Sequence, residues 1–436
     1  MKKFIGTLVV LVLVYVTAAY ATGYLGEREV RQQLLSEAEF LAGQQVAISL
    51  EDYRRGITSS EVTTVIRYRD VLPEGELVLT VDARVSHGPL FWQGGAPRLG
   101  LSSIEGEFRL HAPDQPELNA VLERLWGESL GTFTGYTGFT GRYTLDWQIP
   151  GFDQSLDTDD ARFSFAGAQG RLSGVANEHQ YSGDVSVGAV TIEDQQGSGE
   201  RIEISGLQST FDLHYLNAYI SVGEVEVDIS RIAWQQLEGS TGELTDVRLR
   251  AESEAVGDKL NSQLSIDASR LEGVMLPVRD IYYRFALNNV SQAALTQWQA
   301  SASQWGNDVT EAEIIEVMDA LLQPGLQFSA DMGAGLMDGQ SRLTLNADYI
   351  GLGAGRSLSQ LDSYGDLLAA VNAELVFRAD DAIVMNTPLI LVTADYIGTY
   401  LIDEGGEYVM RAKLQDGRLT IADIPFPIEF LLMGLM

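Results

Sequence analysis

The sequence predicts a mainly β protein with some α: an amino-terminal transmembrane helix and stalk, a long antiparallel β-rich body, and a mixed α+β carboxyl region. Three observations lead there. An uncharged run covers residues 4–26, directly after Lys2 and Lys3. From about residue 45 the dominant apolar period is two, the mark of a sheet wet on one face, hence antiparallel rather than doubly wound. Helical spacing appears in only a few places, mostly beyond residue 288.

Taken in order, residues 1–3 are expected in the cytoplasm and residues 4–26 as a signal anchor. Those 23 residues span roughly 34 Å as a helix, enough for the ~30 Å hydrocarbon core. The lysines keep the amino terminus cytoplasmic. Arg28 and Arg31 on the far side oppose that bias without reversing it. Ala19-Tyr20-Ala21 has the A-x-A form of a cleavage site, so a cut after Ala21 stays open beside a retained anchor. Residues 27–44 read as a helical stalk, with Val30, Leu34 and Leu41 near 3.6 spacing.

The β-rich body covers 45–288. Leu77, Leu79, Val81, Ala83 and Val85 share one face, and Val225, Val227 and Ile229 alternate with Glu224, Glu226 and Asp228. Comparable alternation marks 247–251, 264–268, 343–347 and 408–414. Ser182-Gly183-Asp184, Asp338-Gly339 and Asp416-Gly417 read as turns. Helices are expected at 116–126, where a proline stands early, then at 290–305, 308–322 and 357–371. The mixed α+β region covers 289–436, and its apolar end, PFPIEFLLMGLM, is expected to pack into the body. Ala347-Asp348-Tyr349-Ile350-Gly351 recurs at 394–398, by duplication of a small unit or by chance.

Composition excludes much chemistry. Against 61 Asp and Glu stand 29 Lys and Arg, a net charge of −32. A body that acidic repels nucleic acid and opposes general adsorption to anionic lipid. Without cysteine there is no disulfide, thiolate metal site or thiol nucleophile. The four histidines have no second His at ligand spacing, and no hydrolase, phosphate-loop or dinucleotide motif occurs. No catalytic residue, metal or cofactor is expected. Asp153, Asp157, Asp159 and Asp160 could offer oxygens to Ca²⁺ but lack the glycine and distal Glu of a Ca²⁺ loop, and read as a solvated loop. GTFTGYTGFTGRY, with Tyr136, Thr137 and Phe139, reads as a ligand-lining surface or a tight loop entering a strand.

Two segments depart from the alternating background. Tyr53, Arg55, Gly56, Ser59 and Ser60 open one strand, and His87, Gly88 and Pro89 close the next. They are either turn geometry with a locally bonded histidine or binding residues. The pattern Y-x-R-G-x-x-S-S followed about thirty residues later by V-x-H-G-P, after a lysine-led anchor and stalk, resembles the YdgA-like family, a bacterial domain of unknown function. Ile57 stands where that resemblance leads one to expect an aromatic, and residues 414–421 resemble the family's last hairpin. The resemblance implies a single-pass bacterial inner-membrane protein with a periplasmic body. A distant likeness to AsmA-like envelope proteins adds a curved sheet forming a groove. The expected function is therefore non-enzymatic: an envelope protein, anchored through residues 4–26, handling lipid or another apolar ligand in a β-groove. The alternative is a scaffold or assembly factor acting through protein contacts, as a homodimer or with an envelope partner. No nucleic-acid partner is expected.

Overall fold

The computed structural model describes residues 46–427, apart from 69–74, 94–95, 157–160, 176–177, 195–198, 218, 237–238, 275, 303–309, 354–355, 362–363, 388–389 and 391–392. The expected anchor (4–26) and stalk (27–44), Asp157, Asp159, Asp160 and the apolar tail at 428–436 lie outside the described residues. Among the described residues no helix is long and apolar enough to cross a membrane. The protein is mainly β, with its principal strands in one large antiparallel sheet. Two compact units divide the chain: 1–196 with 206–221, and 197–205 with 222–436.

The first unit contains β1 (Val46–Arg55), β2 (Ser59–Tyr68), β3 (Leu77–His87), β4 (Leu90–Gln93), β5 (Ala96–Leu99), β6 (Ser102–His111), α1 (Pro116–Trp126), β7 (Gly131–Thr137), β8 (Arg142–Ile149), β9 (Phe152–Leu156), β10 (Ala161–Phe165), β11 (Ala168–Val175), β12 (Gln180–Val187), β13 (Val190–Asp194) and most of β14 (Arg201–Tyr215). Antiparallel ladders run β1-β2-β3-β6-β7-β8-β11-β12-β14. A second short ladder, β9-β10-β13, continues three of these strands past a corner of small residues. There Gly151, Ala166, Gly167 and Gly188 pack so closely that a Cβ on Gly188 would stand 2.7 Å from that of Ala166. The core gathers Val62, Ala83 and Phe133, with Tyr53, Ile104, Leu145 and Trp147 packed around them. α1 forms where expected, with Pro116 in its first turn and Gly127 at φ 69° ending it.

The second unit holds β15 (Ser221–Gln235) from Val222 on, β16 (Thr241–Val256), β17 (Lys259–Glu272), β18 (Val278–Ser291), α2 (Gln292–Ala302), α3 (Glu311–Leu321), β19 (Leu326–Leu336), β20 (Gly339–Tyr349), α4 (Tyr364–Ala369), β21 (Val371–Asp380), α5 (Asp381–Asn386), β22 (Ile402–Asp403), β23 (Glu407–Gln415), β24 (Arg418–Ile421) and β25 (Ile424–Phe426). From β15 to β21 each strand pairs with the next, and β21, β23, β24 and β25 continue the meander. Thr310 and Glu313 close a capping box on α3, each bonding the other's backbone N–H. Asp416 (φ 52°) and Gly417 (φ 71°) make the two-residue turn whose twist suits a hairpin.

Three local expectations are corrected. Residues 357–371 do not form one helix: a single 3₁₀ turn at Leu358–Gln360 and the short α4 occupy that stretch, and Val371 already opens β21. Ser182-Gly183-Asp184 is not a turn but the middle of β12, because Gly183 faces the ring of Phe211 across the ladder. Duplication of Ala-Asp-Tyr-Ile-Gly finds no structural support: the first copy ends β20, while Ala394–Tyr396 is a 3₁₀ turn.

Candidate functional site

The residues singled out at 53–60 and 87–89 meet at one end of the first unit because β1, β2 and β3 are neighbours. Arg55 pairs with Ser60, and Ser59 with Ser86. The Gly56 N–H donates to the Ser59 carbonyl (2.8 Å), and the His87 N–H to the Thr58 carbonyl (2.8 Å). A Cβ on Gly56 would lie 2.5 Å from the Ser59 oxygen, so the turn requires glycine. Gly88 follows at φ 146°, and the Pro89 carbonyl accepts the Gly100 N–H at 3.2 Å.

At the centre, Ser60 Oγ and His87 Nε2 share a hydrogen bond of 2.7 Å. Ser60 is 1% exposed and His87 3%. Burial, and secondarily the charge of Arg55, push the His87 imidazole below its ordinary value, so it is neutral at pH 7. A serine beside an imidazole is half of a nucleophile–base arrangement. A reacting carbonyl needs space about 3 Å from the hydroxyl, and this degree of burial leaves none. The pair acts as a polar clasp between two adjacent turns. Tyr53, opposite Val62 on the same pair of strands, packs against the Val62, Ala83 and Phe133 core.

Removing the Ser60 hydroxyl orphans a buried imidazole nitrogen. Ser60→Ala is expected to lower stability by about 1–3 kcal/mol in urea unfolding. Because the folded-state His87 value is depressed, its contribution is full above pH 6.5 and declines as pH falls below that, where the unfolded chain takes up the proton first. His87→Gln should flatten the stability profile between about pH 7.5 and 5.5. An unchanged profile would show that His87 carries no such linkage.

The sequence also implied, without delimiting it, a second element: the apolar sheet face. In the second unit the register places Val227, Leu249, Ile266, Tyr283, Met332, Leu343, Phe377 and Met410 side by side across eight strands, every one half-buried. The opposite face carries Glu226, Arg250, Arg284 and Asp331 in one such row, and Arg250, Arg284, Asp331 and Arg342 border a shallow charged depression there. Arg342 grips Asp331 at 2.9 and 2.7 Å, and Arg248 holds Asp228 at 2.8 Å. In the first unit rings on the apolar face fill the space beside cross-strand glycines: Phe133 at Gly106, Trp147 at Gly170 and Phe211 at Gly183.

Of the acidic cluster, Asp153 is described, and Arg162 holds it at 2.8 and 2.6 Å, which lowers its carboxyl below the usual range. Among the described residues no group of three or more His, Asp or Glu is placed to hold a metal ion. Tyr136 and Thr137 belong to β7 and Phe139 to the turn after it.

Residues 1–386 match the model of a family described as bacterial protein of unknown function, DUF945. No curated protein and no solved structure matches the chain.

Proposed function

From its membership in the DUF945 family, the chain inherits no reaction, and we propose that it is a non-enzymatic envelope protein, held in the bacterial inner membrane through residues 4–26, whose periplasmic body carries or shields lipid on the apolar face of its sheet. One observation carries this reading. The apolar row of the second unit is only partly buried from Val227 to Leu343, and is covered at Phe377 and Met410 by the cluster around α5, where an ordinary sheet seals its whole apolar face under helices or a second sheet. The helices that pack on strands of this unit do so at β18 and at β20, β21 and β23. The charged depressions on the other face suit no acyl chain, whereas a row of Val, Leu, Ile and Phe does. The buried Ser60–His87 clasp has no role in such a function beyond holding its turns together.

The test exploits the period of two. A photo-crosslinking amino acid at Leu249 faces the apolar side and one at Arg250 the polar side of the same strand, both in the full chain in living bacteria. Lipid-mass adducts from position 249, and not from 250, are expected. Adducts of protein mass at 249 would put the scaffold or homodimer reading first. No adduct at either position would mean the face is closed in the cell, and the reading fails.

A further inference from the structure

We propose that the end of the first unit around the Ser60–His87 clasp is a contact surface for an anionic phospholipid bilayer. Register brings three separate segments to this end: the β1–β2 turn, the stretch from β3 to β6, and the β7–β8 turn. Arg55 stands opposite Ser60, His87 opposite Ser102, and Ser102 opposite Thr137. Each segment lifts a large apolar side chain into solvent: Ile57 is 57% exposed, Leu99 63% and Phe139 59%, with Leu90 and Leu101 also exposed. These tips are supported from beneath. The Tyr136 hydroxyl donates to the Leu99 carbonyl at 2.6 Å, the Leu101 N–H donates to the Thr137 carbonyl at 2.9 Å, and the buried Phe91 ring sits 5.9 Å from that of Tyr136.

Charge selects the partner. Segments 53–60, 85–103 and 135–143 contain no Asp or Glu, where the chain's average would place about five; Arg54 is taken up by Asp52 just outside, at 2.7 Å, and the charge at this end rests on Arg55, Arg98 and Arg142. The adjoining β11–β12 turn adds a single acid, Glu178. The body as a whole repels an anionic surface, but charges beyond about 8 Å are screened at physiological ionic strength, so the nearest groups decide. Arginines beside projecting Ile, Leu and Phe match an interface whose headgroups are anionic and whose next 5–10 Å are apolar. An acidic protein surface would satisfy the arginines and leave three separate apolar tips in water.

The absence of cysteine makes a site-specific probe clean. The full chain carrying Phe139→Cys, labelled with an environment-sensitive fluorophore, is reconstituted into phosphatidylcholine vesicles with or without about one-third phosphatidylglycerol. Brominated lipid should quench the label in the anionic vesicles. Quenching should weaken about fivefold with each of Arg98→Gln and Arg142→Gln, and should fall in high salt. The same label at Glu128→Cys, at the other end of the strands, should be unaffected, and Ile57→Cys provides a second tip should the first fail to fold. No lipid quenching at either tip, or equal quenching at position 128, overturns the proposal. Shielding from a soluble quencher without lipid quenching overturns it in favour of a protein interface.

Discussion

Ile383→Ala is expected to cost the second unit about 3–4 kcal/mol, read as a lower urea midpoint at unchanged slope. α5 has only six residues, too few for a helix to hold by itself in water. Its place depends on Ile383 and Val384, both buried with Ala379, Leu401 and Tyr408. A Cβ on Gly339 would come within 2.9 Å of Ile383 Cγ1, so the isoleucine rests on bare backbone, which cannot collapse into the space it vacates. Residual cavity adds to lost transfer free energy, which places the substitution toward the upper part of the usual range. Met385→Ala, on the exposed side of the same helix, should cost less than about 1 kcal/mol. If both substitutions cost the same, α5 is not held by this cluster. Because α5 covers the apolar face at β20, β21 and β23, loosening it should also raise binding of a hydrophobic dye.

Strands were legible in the sequence because a sheet with one wet face repeats every two residues, as residues 224–229 of β15, 247–251 of β16 and 410–414 of β23 do. The hairpin at Asp416-Gly417 was legible because few residue pairs accept positive φ at both positions. Register was not legible, and the site depends on register. That Tyr53–Ser60 and His87–Pro89 break the pattern could be seen, but Ser60 bonds His87 only because Ser59 faces Ser86 across β2 and β3. Ile57 departs from the family pattern. Its companions Leu99 and Phe139, 42 and 82 residues further on, join it only once the strand order is known. The extent of half-burial along the apolar rows is likewise a property of the assembled sheet, since the same alternation would be written by a face fully covered by helices.

Gly183→Val is expected to destabilise the first unit by about 2–4 kcal/mol, and the reason separates two uses of glycine that one sequence writes alike. At Gly183 a Cβ would stand 2.2 Å from the Arg171 carbonyl oxygen and 2.7 Å from the Phe211 ring. The obstacle is lack of space in a strand. At Gly257 nothing lies within 4 Å, and the constraint is a φ of 65°. Gly257→Ala should therefore cost only about 1 kcal/mol, a conformational penalty. If Gly183→Val cost no more than Gly257→Ala, position 183 would behave as a turn and the β11–β12–β14 register would be wrong. The expected outcome also bears on function. Phe211 occupies the space over the bare backbone of Gly183, as Phe133 and Trp147 do at Gly106 and Gly170. A larger residue at any of these glycines would displace its ring and disturb the packing of the apolar face on which the proposed function rests.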